Sequence, residues 1–217
     1  MLAIKRNYVE VVQGLAGSGL FAGVESRGRD AAPYGWARWA TSLLAIYDSE
    51  RMVGLDLPWW NVAATREVEQ FLKARPGARV FEYGSGASTA WLAKRAAQVI
   101  SVEHDGAWLK KFGHVLRPLG NVELLDRPMD ADPRNYIDAI KGQGLFDMIV
   151  VDGRRRADCL AAARASLKPG GIILFDDSGR KRYRAAIAHC GMSETHHYGR
   201  SYCVPYPDHT SILRQPG

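Results

Sequence analysis

The chain has 217 residues, 47% hydrophobic and 24% charged, which are the proportions of a soluble globule that buries its own core without staples. A formal charge of +6 admits an acidic substrate, a phosphate-bearing partner or nucleic acid without choosing among them. Three scattered cysteines, Cys159, Cys190 and Cys203, make neither a disulfide framework nor a zinc site, so a reducing cytoplasm is the expected compartment.

Near the start, Val9 to Gly23 is apolar but broken by Glu10, Gln13 and several glycines. It makes a poor signal peptide and is too short and polar to span a bilayer, which leaves an amphipathic, partner-facing or lipid-facing role. Residues 1–60 carry many glycines and aromatics and no strand alternation. They read as a cap over the substrate mouth of a domain that occupies residues 61–217. Within the cap, Arg38 to Tyr47 suits a helix, and Leu55 to Trp60 suits an extended segment because Pro58 disfavours helix before it.

From Asn61 the pattern becomes regular. Asn61 is an N-cap type, and Val62, Val68, Phe71 and Leu72 give the next helix an apolar face that Pro76-Gly77 ends. Strands are expected over Arg79–Tyr83, Gln98–Glu103, Asn121–Leu125, Phe146–Val151 and Ile172–Phe175. Helices are expected over Ser88–Ala97, Asp105–Leu116, Pro133–Lys141 and Arg156–Leu167. Glu194–Tyr198 and Thr210–Leu213 complete the list as edge strands. The alternation and short connections describe an α/β fold, a parallel sheet covered by helices on both faces.

In such sheets, ligands bind beyond the carboxyl ends of the strands. Phe81-Glu82-Tyr83-Gly84-Ser85-Gly86 turns the first core strand into a helix, and Gly84 and Gly86 permit a tight turn and close approach to a ligand. Ser85, Ser88 and Thr89 add hydroxyls. A dinucleotide fingerprint needs a third glycine where Thr89 stands. Glu82 opposes a pyrophosphate and suits a cationic ligand such as an amino-acid ammonium. Both features weigh against a nicotinamide-dependent oxidoreductase. Glu103 ends the next strand, about twenty residues on, where a carboxylate accepts ribose hydroxyls. Phe146 to Gly153 and Leu167 to Asp177 bring further acids to the same rim.

Together these four blocks, spanning residues 79–178, resemble the class I S-adenosylmethionine-dependent methyltransferases. The resemblance implies a Rossmann-like seven-stranded sheet, mostly parallel, with an antiparallel edge hairpin. It implies that Glu82, Gly84 and Gly86 face the methionine part of the cofactor and Glu103 its ribose. For adenine, Asp126 and Asp130 compete. Within the class, Pro58-Trp59-Trp60, Asp152-Gly153-Arg154 and Thr210-Ser211-Ile212 look like the small-molecule or sugar O-methylating branch.

Methylating a hydroxyl requires alignment and removal of a proton. Asp152 is the leading catalytic candidate, lying also beside the cofactor. His104 is a second, and His196, His197 and His209 are weaker ones. Catechol-type O-methyltransferases carry a divalent cation on matching acids, which here are Asp152, Asp176 and Asp177, with Asp177 in place of the family's Asn. The resemblance thereby offers Mg²⁺ as a second cofactor. Arg154-Arg155-Arg156 and Arg180-Lys181-Arg182 follow strand ends at the acceptor side, and Arg154 and Arg180 are the candidates for holding an anionic acceptor such as a uronic acid, sugar phosphate or nucleotide-linked sugar. An RNA or protein methyltransferase is the alternative, disfavoured by the missing Asn/Asp-Pro-Pro-aromatic block. Oligomeric state stays open, a homodimer included. Met129, Trp91, Trp108 and Cys159 read as core.

Overall fold

The computed structural model describes residues 22–216, without the side chains of Ala22 and Glu25. All but the last two residues of the amphipathic stretch Val9 to Gly23 therefore lie outside the described residues. No described helix is long and apolar enough to cross a membrane.

A seven-stranded sheet runs in the order β3-β2-β1-β4-β5-β7-β6. Its parallel part comprises β1 (Arg79–Tyr83), β2 (Gln98–Glu103), β3 (Val122–Asp126), β4 (Phe146–Val151) and β5 (Leu167–Asp176). The hairpin β6 (Ser193–Arg200) and β7 (Pro207–Arg214) closes one edge antiparallel. The mostly parallel, Rossmann-like sheet with an antiparallel edge hairpin is the expected architecture.

Strand parity splits the core into two layers. Phe81, Tyr83, Ile149, Val151, Ile173 and Phe175 face one layer, with Tyr136 and Leu160 above them. Val80, Met148, Val150, Leu174 and Ile212 face the other, against Trp60, Val68, Leu72 and Trp91. Trp60, Leu72 and Val68 belong to or precede α4 (Val62–Lys73), which starts where the Asn61 side chain accepts the N–H groups of Ala63 and Ala64.

The amino-terminal segment contributes α1 (Ala22–Asp30), α2 (Trp36–Ser42) and α3 (Ser49–Gly54). Met52, Leu55 and Leu57 pack with Tyr202, Cys203 and Val204 of the β6–β7 connection and with Ala87 at the start of α5 (Ala87–Ala93). Polar ties reinforce this seam: the Trp39 indole donates to Ser201 O at 2.9 Å and the Tyr202 hydroxyl to Pro33 O at 2.7 Å. The expected extended stretch Leu55–Trp60 is broken at both ends: α3 closes in a turn at Leu55–Asp56, where Asp56 has φ +54° and the Leu57 N–H donates to Met52 O at 3.0 Å, and the chain bends at Trp59–Trp60.

Further helices are α6 (Gly106–Leu116), α7 (Arg134–Ile137), α8 (Arg156–Ala165) and α9 (Lys181–His189). Leu167 leaves the helical register expected of it and pairs with Phe146 at the start of β5.

Candidate active site

The carboxyl ends of β1, β2, β4 and β5 open into one cavity of about 810 Å³. Its floor begins at the β1–α5 turn. Gly84 has φ +99°, and a Cβ there would lie 2.8 Å from Gly153 Cα, so the position demands glycine twice over. Gly153 is equally tight, since its own Cβ would collide with the Tyr136 hydroxyl. The β1 and β4 turns thus touch backbone to backbone, which brings Gly84, Ser85 and Gly86 beside Asp152 on one wall.

Glu103 closes the next side. Its Oε2 accepts the Ser85 N–H at 3.1 Å, and its Oε1 accepts the N–H groups of His104 and Asp105. Trp108, on the first turns of α6, lies along the same wall and donates its indole N–H to Ser85 O at 2.8 Å.

Across the cavity, Asp152, Asp176 and Asp177 converge on Arg156. The Arg156 guanidinium lies 3.0 Å from Asp152 Oδ1, 2.9 Å from Asp177 Oδ2 and 3.6 Å from Asp176 Oδ2. The remaining carboxylate oxygens are also engaged. The Trp60 indole donates to Asp152 Oδ2 at 3.1 Å, the Thr210 hydroxyl to Asp176 Oδ1 at 2.7 Å, and Arg180 pairs with Asp177 Oδ1 at 2.7 Å. Asp152 and Asp176 share a hydrogen bond and titrate as a pair. Burial and repulsion from Asp152 hold Asp176 well above the usual carboxylate range. Burial raises Asp152 too, against the pull of Arg156. Arg156 and the Trp60 indole favour negative charge on Asp152, against the burial that disfavours it.

Residues 81–178 match the family model described as a methyltransferase domain. This stretch is a methyltransferase domain, in keeping with the resemblance to the class I S-adenosylmethionine-dependent methyltransferases. Solved structures with the same fold include the O-methyltransferase TomG of Streptomyces achromogenes, involved in tomaymycin synthesis and solved with S-adenosylmethionine. It is 16% identical, with a TM-score of 0.57 over 81% of this chain and 90% of that one. An rRNA methylase of Streptococcus thermophilus is 14% identical, with a TM-score of 0.53 over 70% and 96%. The N-methyltransferase NodS of Bradyrhizobium japonicum, solved with S-adenosylhomocysteine, is 15% identical, with a TM-score of 0.51 over 71% and 86%. No curated protein matches the sequence.

For this methyltransferase the cofactor wall fits S-adenosylmethionine. A Cβ on Gly86 would stand in open space, so the turn presents bare backbone to a ligand. Glu103 Oε2 accepts only the Ser85 N–H, which leaves it a lone pair for a ribose hydroxyl. Ser88 borders the cavity as well.

Two expected contacts lie elsewhere. Glu82 has the parity of Val80 and points into the layer under α5, where it is fully buried and off the cavity wall. The hydroxyls of Ser88 and Thr89 donate to its two oxygens, and that of Ser101 to Oε2 at 2.8 Å. Burial pushes its carboxyl up to about 7 despite these donors. Thr89 is fully buried too, accepting the Gly86 N–H at 2.9 Å. Both residues brace the turn from behind, and neither lines the cavity.

The metal set also differs from expectation. With Arg156 seated among them, Asp152, Asp176 and Asp177 do not fit Mg²⁺. Among the described residues no group of three or more His, Cys, Asp or Glu is arranged to hold a metal ion. Asp126 and Asp130 both stay off the cavity wall, as do His196, His197 and His209. His104 does line it.

Arg154 and Arg180 stand on the cavity wall, joined by Arg182. Arg180 is committed to Asp177, whereas Arg154 and Arg182 have no carboxylate partner among the described residues. Sequence reading placed Arg156 and Arg182 in basic runs without singling them out, gave Trp60 no role, missed Tyr47, Trp59 and Tyr206 at the mouth, and read Trp108 as core or helix face. The PWW motif pointed toward the first of these without giving it a role.

Proposed function

We propose that this methyltransferase methylates a hydroxyl of an anionic small molecule or sugar. The observation that carries the reading is the pairing, in one cavity, of Asp152, whose carboxylate meets the Arg156 guanidinium and the Trp60 indole, with two cations that have no carboxylate partner among the described residues, Arg154 and Arg182. S-adenosylmethionine, when bound, supplies an electrophilic methyl for in-line displacement. The chain's own residues do the rest. Asp152, steered by Arg156 and the Trp60 indole, accepts the hydroxyl proton at Oδ1 or Oδ2. Arg154 and Arg182 grip the acceptor's carboxylate or phosphate, which fixes its hydroxyl toward the cofactor turn. Tyr47, Trp59 and Tyr206 exclude water from the mouth.

The test is a panel of hexuronic acids, sugar phosphates, nucleotide-linked sugars and their neutral counterparts, read as S-adenosylhomocysteine release. Anionic members are expected to turn over in preference to neutral ones. Arg154→Ala and Arg182→Ala should each raise KM roughly 10-fold or more with little change in kcat, the scale of a lost charge-assisted hydrogen bond. Preference for neutral acceptors, or unchanged KM in both variants, would overturn the reading.

A further inference from the structure

We infer that Arg156 is a resident cation that occupies the position a divalent metal would need among Asp152, Asp176 and Asp177, so that this pocket works without a bound metal ion. The inference is independent of which acceptor is methylated.

Backbone geometry fixes the guanidinium first. Arg155 sits in the left-handed region at φ +52° and caps α8, so the next residue is turned inward toward β5 instead of outward to solvent. There the Arg156 Nε–H donates to Gly153 O at 3.0 Å, and Nη1 donates to Asp176 O at 2.6 Å. These carbonyls hold the head group whatever the charge state of the acids. The side chain is 11% exposed and lies 5.8 Å from the Tyr183 ring centre.

The charges then follow. The guanidinium fork reaches one oxygen of each of the three carboxyl groups. A magnesium ion asks for an octahedron of oxygens at about 2.0–2.1 Å, which a guanidinium in the same place excludes by volume and by charge. In exchange Arg156 gives fixed hydrogen-bond directions, and it cannot be lost to chelators or deprotonated. Removing it should leave a hollow bounded by Asp152 Oδ1, Asp176 Oδ2, Asp177 Oδ2 and the carbonyls of Gly153 and Asp176. That is a set of hard oxygen donors.

Manganese(II) titration, followed by electron paramagnetic resonance and calorimetry on the full chain with S-adenosylhomocysteine present, tests this directly. Wild type is expected to take up no stoichiometric Mn²⁺ with a Kd below about 1 mM. Arg156→Ala should bind one Mn²⁺ at least about 10-fold more tightly, gain melting temperature from it, and lose that gain when Asp176→Asn is added. An Arg156→Ala protein that folds but binds no Mn²⁺ overturns the inference. So does a wild type that binds one Mn²⁺ and loses it on Asp176→Asn. That second comparison decides the matter even where Arg156→Ala does not fold.

Discussion

Asp152 receives a guanidinium on one oxygen and an indole N–H on the other, so its charge is stabilised by groups that persist when substrate leaves. Replacing it with Asn removes the proton acceptor and keeps the shape. Methyl transfer should fall by about 100-fold or more, the usual worth of a general base, while S-adenosylhomocysteine affinity stays within a few-fold of wild type. Turnover at the wild-type rate would exclude Asp152 as the base. Glu82 makes a different prediction. Its folded carboxyl titrates near 7, above the ordinary 4.5, so the native state holds a proton that the unfolded chain has lost between those values. Stability then falls as pH rises through that window, by on the order of 3 kcal/mol. Glu82→Gln mimics the protonated form and should flatten this part of the profile. Urea unfolding at pH 5 and pH 8 checks it, and an unchanged slope in the variant would contradict the assignment. The place of Gly84, Gly86 and Glu103 on the cavity wall was legible because a turn and a strand end announce themselves locally. That Glu82 lies off the cavity wall was not legible, because it depends on which side of β1 the residue faces, and its partners Ser88, Thr89 and Ser101 only meet it in the fold. Arg156 was visible as one of three basic residues, but its acids come from β4 and β5, and nothing local says which of the three turns inward.

Among the elements, β1, β2 and β4 keep the bounds read from the sequence because they are short, buried apolar runs cut off by glycine, proline or charge. The α9 helix escaped notice since only Tyr183 and Ile187 are buried in a run otherwise basic or alanine-rich. The α3 helix escaped because six residues are too few to display a period. The amino-terminal segment and the β6–β7 connection act together at the cavity mouth. Asn61 joins them: it caps α4, and its amide group also donates to Asp208 O at 3.2 Å while its N–H donates to the Thr210 hydroxyl at 3.3 Å. Asn61→Ala is expected to cost about 1 kcal/mol from the lost cap, and somewhat more if the tie to Asp208 counts. Chemical denaturation measures this, and a loss below a few tenths of a kcal/mol would mean that the cap is redundant.

At the scale of the whole molecule, the parallel sheet divides the labour by strand. The β1 and β2 ends line the side of the cavity proposed for the cofactor, the β4 and β5 ends carry the acids and Arg156, and the amino-terminal segment and the hairpin connection border the same cavity. The excess of positive charge seen in the sequence lies partly inside this cavity, where Arg156 and Arg180 pair with the acids and Arg154 and Arg182 have no carboxylate partner among the described residues. The acceptor's identity was not legible because the residues that shape its pocket come from segments without a motif, brought together only by packing of Met52 and Leu57 against Tyr202 and Val204. Every other assignment in the cavity depends on the wall proposed for the cofactor. Calorimetric titration of S-adenosylhomocysteine into wild type and Glu103→Ala tests it most directly. Binding at one site per chain in the wild type, weakened about 10-fold or more in the variant by loss of the ribose acceptor, is the predicted result. No binding to wild type, or equal affinity in both proteins, would contradict it.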